Sequence, residues 1–353
     1  MLNVAITFDY ELFFGKNLAS EDEVIFNPTS KILDLLDKYG VKATFFADVL
    51  SVLMNEKVGN YQYVEKFTKQ IKDMVQRGHD VQLHIHSNWL KSTYVQDTWQ
   101  FDTSSYRIHT FGFDNEQEFS VGKIISYGKN YLESTLTKIK SDYKCIAYRA
   151  GGYCIQPHEE LFNSLIDNGI FIDSSVALMQ KAEGVNQYNF VGLDKSVGWW
   201  LNANGGLGKE VERSSDCVFE VPIGCFKNSL MRRLISPEID RGLVIKDLKG
   251  TYIGSSTQKN SFKKKDGFFG KLIKFTKGTR MFTLDGVHYK LLSGEISKLS
   301  RKNKNKYAYV AVIGHPKLAN NTWLDNFEGA LKELLTKETV SIVTMLQIAD
   351  KLC

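Results

Sequence analysis

No apolar run in the 353-residue chain approaches the roughly 18 residues that a membrane span needs, so no transmembrane helix is expected. The opening segment, Met1-Leu2-Asn3-Val4-Ala5-Ile6, has no basic n-region and reaches Asp9 too soon to form an h-region. The expectation is therefore a cytoplasmic protein without a signal peptide. Cysteine is sparse and odd in number (Cys145, Cys154, Cys217, Cys225 and Cys353), with no C-x-x-C spacing. That argues against a disulfide framework and against a cysteine zinc site. Internal repeats and flexible linkers are also missing. What remains is ordinary globular composition, 43% hydrophobic and 24% charged, which excludes disorder, collagen and coiled coil as descriptions of the whole.

The net charge of +5 conceals an asymmetry. Residues 257–306 hold fourteen Lys and Arg against three acids (Asp266, Asp285, Glu295), while the remainder holds 31 basic and 37 acidic residues. A charge run of this kind reads first as a solvated insertion. Its sharper reading is contact with an anionic glycan or with the inner face of a membrane, through groups such as Lys263-Lys264-Lys265. Nucleic acid is not an expected partner, because no binding motif accompanies the charge.

Along the chain, strand and helix patterns alternate. Leu2 to Phe8 reads as a buried strand, Asn27-Pro28-Thr29-Ser30 opens a helix that Gly40 stops, and Val41 to Ala47 reads as the next strand. Tyr63 to Arg77 has helical spacing, with Val64, Phe67, Ile71, Met74 and Val75 on one face, and Gly78 ends it. Val81 to His86 alternates as a strand. Further helices are expected at 121–139, 157–169, 326–335 and from Met345, with strands at 144–149, 170–172, 219–222, 307–314 and 339–343. This rhythm implies a largely parallel sheet. Residues 177–306 break it and read as an elaboration on a single barrel spanning 1–353.

Polar groups collect at the C-terminal ends of the expected strands, where parallel α/β folds place their active sites. Asp9 and Glu11, two apart, share one side of an extended chain, and serve either as helix caps or as a base and a metal ligand. Gln82, His84 and His86 share a strand face, as a zinc-type pair of imidazoles or as hydrogen-bonded core histidines. His79 falls on the other face and reads as structural. Arg149 leaves a buried strand and requires a carboxylate partner, for which Asp9 is the candidate. Gly151 and Gly152 then allow close backbone approach to an oxyanion. His315, after an apolar strand and a glycine, is placed as a general acid or base.

Taken in order, these segments resemble the polysaccharide deacetylase family, also called the NodB-homology or carbohydrate esterase family 4 domain. Thr7-Phe8-Asp9 is similar to its first motif, Gly78-His79-Asp80-Val81 through His84 to its second, and Tyr148-Arg149-Ala150-Gly151-Gly152-Tyr153 to its third. Asp173-Ser174-Ser175 resembles the fourth and Ile313-Gly314-His315 the fifth, while Lys42-Ala43-Thr44-Phe45-Phe46 matches a further strand of the family. The resemblance covers about residues 2–176 and 307–350. It implies a deformed (β/α) barrel of about seven parallel strands with a large insertion late in the barrel. It also implies a divalent cation, Zn²⁺ before others, and hydrolysis of an N-acyl group from an amino sugar.

Carried over residue by residue, Asp9 becomes the base, Arg149 its orienting partner, and His315 the acid tuned by Asp173. Gly152 and Tyr153 supply backbone to the oxyanion. Two positions depart from the family pattern. Tyr10 stands where a metal-binding aspartate is usual, so Glu11 takes over, and Asn88 stands where the second histidine is usual, so His86 substitutes or Asn88 serves as a neutral ligand. Trp89, Trp199 and Trp200 offer flat surfaces on which a sugar could stack, and Gly198-Trp199-Trp200-Leu201-Asn202, in the elaboration, reads as a lid or cleft wall. Rival readings are a binding protein that has lost its metal, a hydrolase of small amides, and a glycoside hydrolase. The last leaves His84, His86 and His315 without a purpose.

Overall fold

The computed structural model describes residues 1–17, 19–114, 116–229 and 278–352, with positions 231, 235, 236, 239 and 252–254. Lys263–Lys265, and the basic stretch up to residue 277, lie outside the described residues. Nine strands form the main sheet: β1 (Leu2–Tyr10), β2 (Thr44–Asp48), β3 (Asp80–Ile85), β4 (Ala147–Ala150), β5 (Ile172–Asp173), β6 (Trp199–Asn202), β7 (Cys217–Glu220), β8 (Ala308–Gly314) and β9 (Val340–Val343). Their order is β6-β7-β5-β4-β3-β2-β1-β8, and β9 pairs with residues Leu2–Ala5 of β1. All pairings are parallel except β6 with β7. Beyond β7 the chain reaches β8, where Ala311 N–H donates to the Pro222 carbonyl (2.8 Å) and Gly224 N–H to that of Ala311 (3.1 Å). These bonds bring the two sides of the curled sheet toward each other, as a deformed half-barrel whose strands are parallel but for β6.

Among the described residues eight α-helices surround it: α1 (Asn27–Lys38), α2 (Val49–Lys57), α3 (Tyr61–Gln76), α4 (Val121–Leu136), α5 (Glu159–Asp167), α6 (Tyr289–Lys302), α7 (Asn321–Leu335) and α8 (Met345–Leu352). Local chemistry sets several of their ends. The side chains of Asn60, Ser120 and Asn320 accept from the backbone N–H groups of Tyr63, Lys123 and Trp323, filling N-cap positions. Gly78, at φ +79°, takes the left-handed conformation that closes α3. Helix α2 was not evident in the sequence, because its mixed apolar surface gives almost no one-sided pattern. Helix α6 lay inside the stretch read as an elaboration. Its Leu291, Leu292 and Ile296 are buried, and its backbone at Tyr289 donates to Asn326 of α7 (2.8 Å).

Every residue of β1 is buried, and the alternation divides its two faces. Phe8 packs outward on Phe45 and Phe327 (centroids 5.0 and 5.6 Å), and Tyr10 on Phe67 of α3, with its hydroxyl donating to Gln70 (2.6 Å). Thr7, Asp9 and then Glu11 turn into the barrel. At its floor Asp80 gathers Thr44, Gln82 and the Leu346 N–H (2.7–3.1 Å), fastening the start of α8 under the sheet. Among the described residues no helix is long and apolar enough to cross a membrane.

His79 is the buried histidine of this floor. Its Nδ1 accepts from Ala43 N–H (3.3 Å) and its Nε2 lies 3.6 Å from Asp37. Burial above all pushes its pKa down to about 4. The fold thus prefers the neutral ring. That stabilisation is complete above the unfolded value of about 6.5 and is lost as pH falls from there through 4. His79→Gln should show a shallower loss of melting temperature between pH 6.5 and 4 than the wild type; equal slopes would remove this role.

Gly128 lets α4 approach the sheet. A Cβ there would lie 2.6 Å from Leu83 Cδ1 and 2.9 Å from Val49 Cγ2, whereas one at Gly294 on exposed α6 meets nothing within 4 Å. In urea unfolding, Gly128→Ala should cost about 1–3 kcal/mol, and Gly294→Ala should stabilise by about 0.5–1 kcal/mol.

Candidate metal centre and active site

Four strand ends deliver the polar groups. The ends of β2, β3 and β4 lie in one layer, since Asp48 pairs in register with His84 and His84 with Arg149. Beside them the inward face of β1 delivers Asp9 and Glu11. Arg149 is wholly buried and donates to Asp9 Oδ1 (2.9 Å), Thr7 Oγ1 (3.1 Å) and Ser174 Oγ (2.9 Å). Its plane also lies over Phe46, 4.5 Å from the ring centroid. The expected pairing of Arg149 with Asp9 is present.

Glu11, His84 and His86 are all buried, and one ligand atom from each falls within 4.8 Å of the others. His84 Nδ1 lies 2.7 Å from the Arg149 carbonyl, so this nitrogen carries the proton and donates, and Nε2 turns to Glu11 Oε2 at 3.1 Å. His86 Nε2 meets the same oxygen. One carboxylate oxygen faced by two imidazoles is the donor set of a tetrahedral zinc-type site, with a backbone carbonyl fixing the ligand tautomer. His86 Nδ1 and both amide atoms of Asn88 are buried without a hydrogen-bond partner. Polar atoms so placed are rarely left idle in a native interior. The residues fit a divalent cation.

The electrostatics agree with a crowded anionic pocket. Burial alone would depress His84, but Asp9, Glu11 and Asp48 raise it to about 9. Burial would raise Glu11, but Lys317, then His86 and His84, hold it well below the usual carboxylate range. Burial raises Asp48, against the pull of His86 and His84.

His315 corrects one expectation. Its Nδ1 lies 2.6 Å from Asp285 Oδ2, and its backbone N–H donates to Oδ1 of the same residue (3.0 Å), which also accepts from Trp323 Nε1 (3.0 Å). Asp285, not Asp173, is the partner. Asp173 instead bonds Ser175 Oγ (2.7 Å) and the Ser175 N–H (3.1 Å), and faces buried Glu220. Burial, and then Asp173, push Glu220 well above the carboxylate range. With Nδ1 engaged, His315 turns Nε2 toward Asp9 Oδ2 (3.7 Å) and Glu11 Oε1 (3.6 Å). Burial would lower its pKa, but Asp285, with Asp9 and Glu11, raises it.

Trp89 corrects another. It is fully buried, its Nε1 donates to Asp48 Oδ2 (2.7 Å), and its ring is enclosed by Trp99 and Phe101 (centroids 4.9 and 4.8 Å). The Ser87–Lys91 turn folds it under the hairpin 93–100, so no face is left for a sugar. Trp199 is likewise buried in β6, with Nε1 on the Leu207 carbonyl (3.1 Å), and is no cleft wall. Gly151 has no room for a side chain, since a Cβ would lie 2.6 Å from the Ile85 carbonyl oxygen and 2.8 Å from His86 Nδ1. Gly152 (φ +57°) and Tyr153 (φ +62°) then turn the chain back, and burial beside Asp9 pushes the Tyr153 phenol well above its usual value.

Three participants were not read from the sequence. Asp48 stood at the end of an expected strand, the signal used for the others. Asp285 lay inside the basic stretch, yet Leu284 N–H donates to Ile313 O (2.8 Å) and Ile313 N–H to Phe282 O (3.0 Å), which sets it beside the end of β8. Lys317, two residues after His315, reaches Glu11 Oε1 at 2.7 Å.

Residues 3–112 match the family model described as polysaccharide deacetylase. No protein of curated function matches the chain in sequence. Among solved structures, a Puue allantoinase is similar at 11% identity and TM-score 0.50, over 99% of this chain and 89% of that one. A probable polysaccharide deacetylase from Pseudomonas aeruginosa PAO1 is similar at 11% identity and TM-score 0.48, with the same coverage of 99% and 89%. A putative polysaccharide deacetylase from Mycobacterium smegmatis, at 14% identity over 99% and 89%, has a TM-score of 0.44. The curled parallel barrel with its ordered motifs, and the matching model over residues 3–112, thus bear out the resemblance to the polysaccharide deacetylase family.

Proposed function

We propose that the protein is a metal-dependent hydrolase that removes an N-acetyl or similar short acyl group from an amino sugar in a glycan or glycan precursor. One observation carries the reading: an Arg149-held Asp9 and an Asp285-held His315 converge on the buried Glu11–His84–His86 cluster. Glu11 Oε2, His84 Nε2 and His86 Nε2 would hold the cation. When bound, it would supply Lewis acidity to the acyl oxygen and to the attacking water.

The chain's own groups do the rest. Asp9 has one oxygen fixed by Arg149, which leaves Oδ2 on the His315 side to take the proton of the water. His315, protonated and turned by Asp285, gives its proton to the departing amine. The Gly151–Tyr153 turn aligns backbone at the rim of the cluster, where a developing oxyanion would lie. The products are a free amino sugar and a short acid.

Elemental analysis of protein purified without chelators should give near one equivalent of zinc or a similar ion for the wild type and almost none for His84→Ala. An absence of metal in the wild type, even after dialysis against zinc, would turn the reading toward a binding protein. Loaded enzyme should release acetate from N-acetylated glucosamine oligomers; release only from small ureides or formamides would instead make it a small-amide hydrolase.

The two aspartates near the acid separate by role. Asp285→Asn should lower kcat roughly 10²-fold or more while leaving metal content intact, since it loses the orientation and charge behind His315. Asp173→Asn should leave kcat within a few-fold of wild type and change mainly the unfolding midpoint. The reverse pattern would restore Asp173 as the acid's partner.

A further inference from the structure

Lys317 enters the cluster from the turn after β8. Its ammonium lies 2.7 Å from Glu11 Oε1 and 3.1 Å from the Leu12 carbonyl oxygen, and its side chain is only 11% exposed. The ammonium also lies over two rings, 5.3 Å from the Phe13 centroid and 5.6 Å from that of Phe14. Glu11 is therefore divided between two tasks. Oε1 is taken by Lys317, and Oε2 alone faces His84 and His86.

Two other carboxylates at the site have cationic or titratable partners of their own, while Asp48 is held by the neutral donors Trp89 Nε1 and His86 N–H. Asp9 is balanced by Arg149, and Asp285 faces His315. Glu11 is the anionic ligand of the cluster, and its charge is compensated before any cation arrives. An ammonium and a divalent cation on one carboxylate, in a pocket with little water, repel each other far more than they would in bulk solvent. A neutral donor at position 317 could make the same hydrogen bond without that repulsion.

On the metal-dependent reading given above, we propose that Lys317 is a positioning residue that presents Glu11 as a one-oxygen ligand and, by its charge, holds down the affinity of the centre for its cation. The consequence is an exchangeable metal, loaded according to supply rather than retained.

The test is titration with Co²⁺, followed by its visible absorption, with Zn²⁺ competition to extend the range. Lys317→Gln, which keeps a donor and drops the charge, should bind Co²⁺ at least tenfold more tightly than wild type. Lys317→Met, which keeps an unbranched side chain and drops both charge and donor, should shift in the same direction. Lys317→Arg, which keeps the charge, should stay within about twofold of wild type. Equal or weaker binding by both neutral variants overturns the proposal and leaves Lys317 as a simple anchor for the carboxylate. Failure of every form, wild type included, to bind Co²⁺ or Zn²⁺ overturns the metal-dependent reading itself, and is told apart by the wild-type trace alone.

Discussion

The buried ion pair between Arg149 and Asp9 is the constraint from which the rest of the site follows. It joins β4 to β1 across the barrel interior, with Thr7 and Ser174 taking the second guanidinium nitrogen. A guanidinium withdrawn from water is tolerable only when its charge and most of its donors are met, and removing one partner of such a pair typically costs about 3–5 kcal/mol. Arg149 meets that demand with a carboxylate, two hydroxyls and the face of Phe46. In doing so it fixes one oxygen of Asp9 and leaves the other toward His315. The same peptide unit supplies the carbonyl that orients His84. A single strand end thus sets both the Asp9 carboxylate and the tautomer of His84.

Around that pair the chain distributes charge by proximity. Asp9, Glu11 and Asp285 each have a cationic or titratable partner within hydrogen-bond distance. Asp48 is different: it accepts from Trp89 Nε1 and from the His86 N–H, so it is held by neutral donors. Those two bonds define the corner at which β3 turns into the Ser87–Lys91 segment. They locate His86 by its backbone while Phe14, 4.1 Å away between centroids, locates its ring. The pocket is enclosed on that side by aromatic surface, which lowers the local dielectric and strengthens each charge interaction inside it.

Much of this was legible because parallel barrels put function at strand ends and the sequence alternates cleanly there. Asp9, Arg149, His84, His86 and His315 come from β1, β4, β3 and β8, where period-two patterning leaves little choice of face. Asp285 was not legible for a physical reason: it sits on a short irregular segment whose order comes from backbone bonds to β8, not from any periodicity of its own. Lys317 was hidden by its type, since a lysine after a strand usually points to water. Trp89 misled because an exposed indole and a buried one look alike in sequence; only the fold of the following hairpin decides. The basic run likewise concealed α6, whose apolar face is short.

The two departures from the family pattern are best understood together. On β1, Tyr10 faces outward to Phe67 and Gln70, so an acidic residue at that position would point at α3 and not into the barrel. Position 11, on the Asp9 face, instead brings a carboxylate oxygen to His84 and His86. On β3, the second histidine comes at 86, one pleat above 84, and not at 88, which lies in the turn beyond the strand. Both changes obey the same period of two. Together they keep a carboxylate oxygen and two imidazole nitrogens within 4.8 Å of one another, in a cluster that Tyr10 and Asn88 do not join.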